Sequence, residues 1–191
     1  MPTPKALIRT PAQVRAVSGP TQHRLLAALE RLGECAVTDL AAATGLAPES
    51  IYYHLRKFER VGILRRTGAR PAARRDEALY QLNAPSVIFD SSNTTRAYRQ
   101  ALGKMVGALL RMATRAYETA VESGAAKHAG RYRNTNMHQL FLRVPKSRLS
   151  EAHRLIDKLF DDLQSFDDER EKQWITVTLV SCPLESQGAD C

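Results

Sequence analysis

Serine, tyrosine and basic side chains that could contact nucleic acid are concentrated in one short segment. Ile51, Leu55 and Phe58 stand at helical spacings and predict one buried stripe. On a helix with that stripe inward, the neighbouring polar and amphipathic residues face outward, where they suit contacts with phosphates and base edges. The outward residues are Glu49, Ser50, Tyr52, Tyr53, Arg56 and Lys57, and the last five are the candidate DNA contacts. The segment predicts a DNA-contacting helix, and the alternative is an ordinary solvated helix surface.

Positive charge is crowded around and after this segment. The chain has 191 residues, 28 Lys or Arg, 20 Asp or Glu and a net charge of +8. Residues 56–75 alone hold eight basic side chains and a single acid, Glu59. The set includes Arg70, Arg74 and Arg75, which follow Gly68 in a turn-rich stretch. Such crowding favours a polyanionic partner, because neutralising phosphates releases condensed counterions.

The positions of glycine and proline along the chain predict the helices and strands that must position these residues. Helical periods end at Gly33 and Gly45, and a further helix starts at Pro48, so two short helices flank a tight turn. After Gly62 the periodicity changes to that of strands, over 63–67 and 78–82, with the three arginines between them. A helix-turn-helix followed by a basic hairpin predicts a winged helix over residues 1–85.

Three stretches of this region resemble the ArsR-type bacterial transcriptional regulators. They are GECAVTDLA at 33–41, SIYYHLRKF at 50–58 and VGIL at 61–64. The resemblance implies a homodimer that binds double-stranded DNA, usually as a repressor released by a signal. It places recognition contacts on Ser50, Tyr52, Tyr53 and Arg56, wing contacts on Arg70, Arg74 and Arg75, and a structural role on His54.

The sequence departs from the metal-sensing members of that family. They have a Cys-Val-Cys triplet where this chain has Ala36, Val37 and Thr38, so both thiolates are missing. We therefore expect no metal site and no cofactor, and an unknown non-metal signal such as a small-molecule effector. The alternative is a metal site formed by His128, His138 and His153. Sequence motifs of phosphate-binding loops, zinc proteases and serine hydrolases are absent, which argues against an enzyme.

A long helix is predicted from about residue 93 to 123. Its small and apolar residues repeat at alternating spacings of four and three, which is a heptad seam. The seam consists of Leu102, Val106, Leu109, Ala113, Ala116 and Ala120. Homodimerisation through this seam and packing on the chain's own C-terminal segment are both open.

The last third predicts a strand over 138–144, a helix with an inner apolar face over about 150–163, and a strand over 174–180. The expected fold is thus mainly α with small β parts: an N-terminal winged helix, a long dimerisation helix and a C-terminal strand-helix-strand module. We expect residues 86–191 to form a dimerisation and possible effector-binding domain.

Apolar patterning and cysteine content indicate the cellular location of the chain. The longest apolar stretch, Met105–Leu110, is far shorter than the roughly 20 residues of a membrane span, and the N-terminus has no signal-peptide core. Three scattered cysteines indicate a reduced protein, so a cytoplasmic location is expected, associated with the nucleoid when DNA is bound. The alternative function is a winged-helix protein-interaction module without specific DNA binding.

Overall fold

A computed structural model of the chain describes residues 5–72, 76–90, 92–168 and 175–183. Its contacts group into two compact units, Met1–Arg115 with Thr178–Cys191, and Ala116–Val177. These units divide the chain at other points than the predicted boundary after residue 85. That boundary stays a prediction about which part folds independently.

The first unit is built from short helices and a small antiparallel sheet, as the winged-helix pattern predicts. Its strands and helices are, in chain order, β1 (Lys5–Ile8), α1 (Pro11–Val17), α2 (Pro20–Leu32), β2 (Cys35–Ala36), α3 (Val37–Thr44), α4 (Pro48–Arg60), β3 (Leu64–Arg70), β4 (Glu77–Leu82), β5 (Ser86–Phe89) and the N-terminal part of α5 (Arg96–Glu122). The sheet has the order β2-β4-β3 with antiparallel pairing, and β3 with β4 forms the wing.

Helix ends in this unit are set by local polar groups. Thr10 and Gln13 form a reciprocal capping box at the start of α1. The Asp39 carboxylate accepts the Ala36 N–H at 2.8 Å and so satisfies a free donor at the start of α3. Gly45 ends α3 with a φ of +66°, a left-handed conformation that glycine adopts without steric cost. This glycine makes the sharp turn into α4 possible.

One hydrophobic core holds the unit together, and α4 contributes the stripe expected from its sequence. Ile51, Leu55 and Phe58 are all buried, alongside residues of the other N-terminal helices. The first turns of α5 join the same core through Tyr98 and Met105. The long helix therefore packs on the winged helix, a packing that was not among the two sequence-based alternatives.

A second, parallel pair of strands was not predicted. β1 pairs with β5 in register, from Lys5 beside Ser86 to Ile8 beside Phe89. The paired segments lie about eighty residues apart in the sequence, and each has only four residues. Segments this short carry no periodicity from which the pairing could be read.

In the second unit α5 continues to Glu122, and a 3-10 turn (Lys146–Arg148) leads into α6 (Leu149–Gln164). The helix was predicted, but the two flanking strands were wrong for the residues that the structure describes. Residues 138–144 and 175–180 form no strand, and Trp174 lies outside the described residues. Their β-branched and apolar residues favour an extended backbone, but a strand also needs a hydrogen-bonded neighbour. Neither segment has one here.

Candidate nucleic-acid interface

Helix α4 presents polar and aromatic side chains on the surface opposite its buried stripe. Tyr52 and Tyr53 are 43% and 57% exposed, and Arg56 is exposed, whereas Ser50 and Lys57 are half-buried. All five candidate residues therefore lie on one helix and none of them is needed to fill the core. The arrangement matches the sequence prediction for the helix itself, while contact with DNA stays a prediction.

The aromatic residues of α4 are held by their neighbours. The Lys57 ammonium lies 4.3 Å from the centre of the Tyr53 ring, a cation–π contact between residues four apart. The Tyr53 ring also meets His54 edge-to-face, with ring centres 5.1 Å apart. Burial, with a further effect of Lys57, lowers the pKa of His54, and its buried Nδ1 has no hydrogen-bond partner among the described residues. His54 is therefore half-buried and lies against the ring of the exposed Tyr53.

The wing adds exposed arginines next to α4. Arg65 and Arg66 of β3 are exposed, and the Arg65 guanidinium donates to the side chains of Gln81 and Asn83, each at 3.0 Å. Burial, with a further effect of Tyr52, raises the pKa of Tyr80, which the Arg66 and Arg56 cations oppose. The wing strand β4 and helix α4 are thus within electrostatic reach of each other.

Arg70, predicted as a wing contact to DNA, is already engaged with carboxylates. Its guanidinium meets Asp39 of α3 as a two-pronged pair, with both N···O distances 2.9 Å. It also donates to the Glu77 carboxylate of β4 at 2.9 and 3.1 Å, and to the Thr38 hydroxyl at 3.0 Å. Hydrogen bonding from Arg70 lowers the pKa of Asp39. Asp39 and Glu77 carry no sequence signal for this role, because they lie 31 and 7 residues from Arg70.

The other two predicted wing residues, Arg74 and Arg75, lie outside the described residues. Exposed Arg66, which the sequence reasoning did not select, is a further basic side chain on the wing. The sequence signal for it is its position within the highly basic residues 56–75.

The predicted dimerisation seam is only partly exposed. Leu102 and Leu109 pack against the core of the first unit, and Val106 and Ala113 are half-buried. In the second unit Ala116 is exposed and Ala120 is half-buried. The exposed large apolar residues of α5 are Leu110, Tyr117 and Val121, at spacings of seven and four.

Comparison with known proteins supports the motif. The profile of a helix-turn-helix domain family matches residues 17–67, the stretch from the end of α1 into β3. No curated protein matches the chain. The wing strands β3 and β4 extend the matched region as the winged form of this motif requires.

Solved structures of transcriptional regulators also align with the chain. The AntR antimony-specific transcriptional repressor is 25% identical, with 56% of this chain and 88% of that chain covered and a TM-score of 0.31. NadR in complex with 4-hydroxyphenylacetate is 15% identical, with 82% of each chain covered and a TM-score of 0.31. BpsR of Bordetella bronchiseptica, whose DNA binding is regulated by 6-hydroxynicotinic acid, is 17% identical, with 79% and 90% covered and a TM-score of 0.29. These superpositions are partial, so the assignment rests on the matched motif and the winged-helix fold.

The N-terminal unit thus contains a helix-turn-helix domain in its winged form, a class of domain found in DNA-binding regulators, which points to a DNA-binding protein and not to an enzyme. Among the described helices, none is long and apolar enough to cross a membrane.

Proposed function

We propose that this protein is a homodimeric, sequence-specific DNA-binding transcriptional regulator, with α4 as its recognition helix. The observation that carries the proposal is the exposed surface of α4, where two tyrosines and Arg56 stand clear of the core within a matched helix-turn-helix motif. The second helix of such a motif enters the major groove, where arginine can bond a guanine edge through two hydrogen bonds.

The predicted contacts divide by chemistry. Arg56 reads a base edge, Ser50 and Tyr52 bond phosphates or base edges, and Tyr53 stacks or meets a thymine methyl group. Lys57, which lies against the Tyr53 ring, also lends positive charge to the surface. On the wing, Arg74 and Arg75 contact the phosphate backbone. The high positive charge of residues 56–75 supports this division, because phosphate contacts supply most of the affinity.

The protein acts as a homodimer through α5. Leu102, Val106, Leu109 and Ala113 form the first part of the seam, and Ala116 and Ala120 the second. Since Leu102 and Leu109 also touch the chain's own core, the exposed Leu110 widens the surface offered to a second copy. Two winged-helix domains joined in this way would place their recognition helices about 34 Å apart, in successive major grooves.

The regulator represses its targets until a non-metal signal, such as a small-molecule effector, releases it. The resemblance to ArsR-type regulators supports repression. The signal differs from a metal because Ala36 and Thr38 stand where metal sensors have thiolates, and Cys35 is a buried thiol. An effector would act by favouring one relative arrangement of the two winged-helix domains in the dimer. A DNA target places the protein in the cytoplasm, at the nucleoid when bound.

The test is sequencing of the genomic fragments that the purified full-length protein captures, followed by affinity measurements on the strongest fragment. We expect a palindromic site. Arg56→Ala should weaken binding to that fragment by about 1–3 kcal/mol, with little change on random DNA. Arg15→Ala is the matched control, since Arg15 is an exposed arginine that belongs to α1 and not to the recognition helix.

Capture of no fragment at low salt would overturn the proposal and favour a protein-interaction module. An equal loss on specific and random DNA in Arg56→Ala would make Arg56 a phosphate anchor without a role in specificity. A monomer in sedimentation experiments would remove the homodimer.

A further inference from the structure

Three side chains from two separate segments converge on the Arg70 guanidinium at the base of the wing. Arg70 ends β3, Glu77 begins β4, and Thr38 and Asp39 lie in the first turn of α3. The loop between β3 and β4 starts immediately after Arg70 and ends just before Glu77. The cluster therefore sits where the wing loop leaves the sheet, against the first helix of the helix-turn-helix motif.

The geometry of the cluster is specific. The two terminal guanidinium nitrogens of Arg70 each meet a different Asp39 oxygen at 2.9 Å, which is the strong, parallel form of an arginine–carboxylate pair. The Thr38 hydroxyl donates to Glu77 at 2.9 Å and accepts from Arg70 at 3.0 Å. Asp39 is in turn fixed to the backbone by the Ala36 N–H. Each member contacts at least two others or the backbone, so the guanidinium has one defined orientation.

We propose that Arg70 is a positioning residue that ties the wing hairpin to α3, so that the wing loop and the recognition helix reach DNA in a fixed relation. The proposal rests on the proposed DNA-binding function. It replaces a direct phosphate contact by Arg70, because a phosphate would have to compete with two carboxylates already bound in good geometry. Asp39 and Glu77, although they are acids close to a polyanion, then support DNA binding.

This last consequence separates positioning from contact. Removing an acid near DNA ordinarily strengthens binding, because it removes repulsion. If Arg70 contacts a phosphate, Glu77→Gln removes one of its two competing carboxylates and tightens binding, and Arg70→Gln reduces the slope of log affinity against log salt by about one. If Arg70 positions the wing, both variants weaken binding while the salt slope stays the same.

The experiment uses the full-length protein and the genomic fragment that it captures most strongly. We expect Arg70→Gln to lower the affinity for that fragment by about three- to tenfold, as for loss of a partly exposed but two-pronged ion pair, and Glu77→Gln, which leaves the pair with Asp39 in place, to lower it by about two- to threefold. Glu77→Gln is preferred to a change at Asp39, because Asp39 also caps α3. Arg65→Gln is the matched control: it removes one positive charge from the same strand, and its hydrogen bonds go to neutral side chains.

Hydrogen–deuterium exchange of the free protein gives a readout without DNA. In Arg70→Gln the amides of β3 and β4 nearest the loop should exchange faster than in the wild type, and in Arg65→Gln they should not. Tighter binding by Glu77→Gln, or unchanged exchange in Arg70→Gln, would overturn the positioning role. If the wild type captures no DNA, the proposed function fails, whereas the exchange data still decide whether Arg70 holds the wing.

Discussion

Tyr98 is the side chain through which α5 is most firmly joined to the winged helix. It is fully buried, with no exposed surface. Its hydroxyl donates to the Ile8 carbonyl at 2.5 Å and accepts the Asp90 N–H at 3.1 Å. It thus links the ends of β1 and β5 to the first turn of the long helix.

Two substitutions separate the hydroxyl from the ring. In Tyr98→Phe the hydroxyl is lost, but the Asp90 N–H still donates to the Ile8 carbonyl at 3.0 Å, so neither backbone group is left without a partner. We expect a cost of about 1 kcal/mol in the free energy of unfolding, the usual net value of one hydrogen bond. Tyr98→Ala removes the buried ring as well and should cost about 3–5 kcal/mol.

The assay is urea unfolding followed by far-UV circular dichroism. Tyr132→Ala is the control, because Tyr132 is 73% exposed and its loss should change the unfolding free energy by no more than about 0.5 kcal/mol. A Tyr98→Ala variant within 1 kcal/mol of wild type would show that α5 does not pack on this core. Equal losses in the two variants would show that the hydroxyl, and not the burial of the ring, dominates.

Two further predictions concern buried titratable groups. Burial lowers the pKa of both His23 and His54, so the unfolded chain binds more protons, and unfolding free energy should fall as the pH drops below about 6.5. In urea titrations from pH 7.5 to 5.5, His23→Gln should show a smaller fall than wild type; an identical fall would refute the assignment. Chiefly because Cys35 is buried, the pKa of its thiol is raised to about 11. At pH 8 this thiol should therefore react with a disulfide reagent only after unfolding, whereas the exposed Cys182 should react at once. The measurement uses Cys191→Ser, and rapid modification of two thiols in the folded protein would contradict it.

The winged helix could be predicted because its signals are local. The buried spacing of Ile51, Leu55 and Phe58 and the glycine turn at Gly45 depend only on neighbouring residues, and both appear as expected. The wing strands were also located to within a few residues. The exposed side of α4 followed directly, since fixing the buried side of a helix fixes the opposite one.

The predictions failed where a residue's state depends on a distant partner. Residues 138–144 have strand-forming composition, but composition does not provide a second strand to pair with. The pairing of β1 with β5 is the opposite case. These strands pair in the structure, but each is too short to show a strand periodicity in the sequence. The prediction of a dimerisation seam on α5 was similarly incomplete. It did not include the packing of Tyr98, Ala101 and Met105 on the hydrophobic core of the first unit.

The sequence by itself determined that this chain contains a helix-turn-helix with a basic wing, because backbone hydrogen bonds and apolar periodicity act over a few residues. Only the tertiary structure decided what the wing's arginines do. Arg65 and Arg66 point to the surface, whereas Arg70 lies against Asp39 and Glu77. In the sequence all three are members of one positively charged run. They differ because an ion pair depends on which carboxylates the fold brings within about 3 Å, and the Asp39 carboxylate comes from a helix 31 residues away.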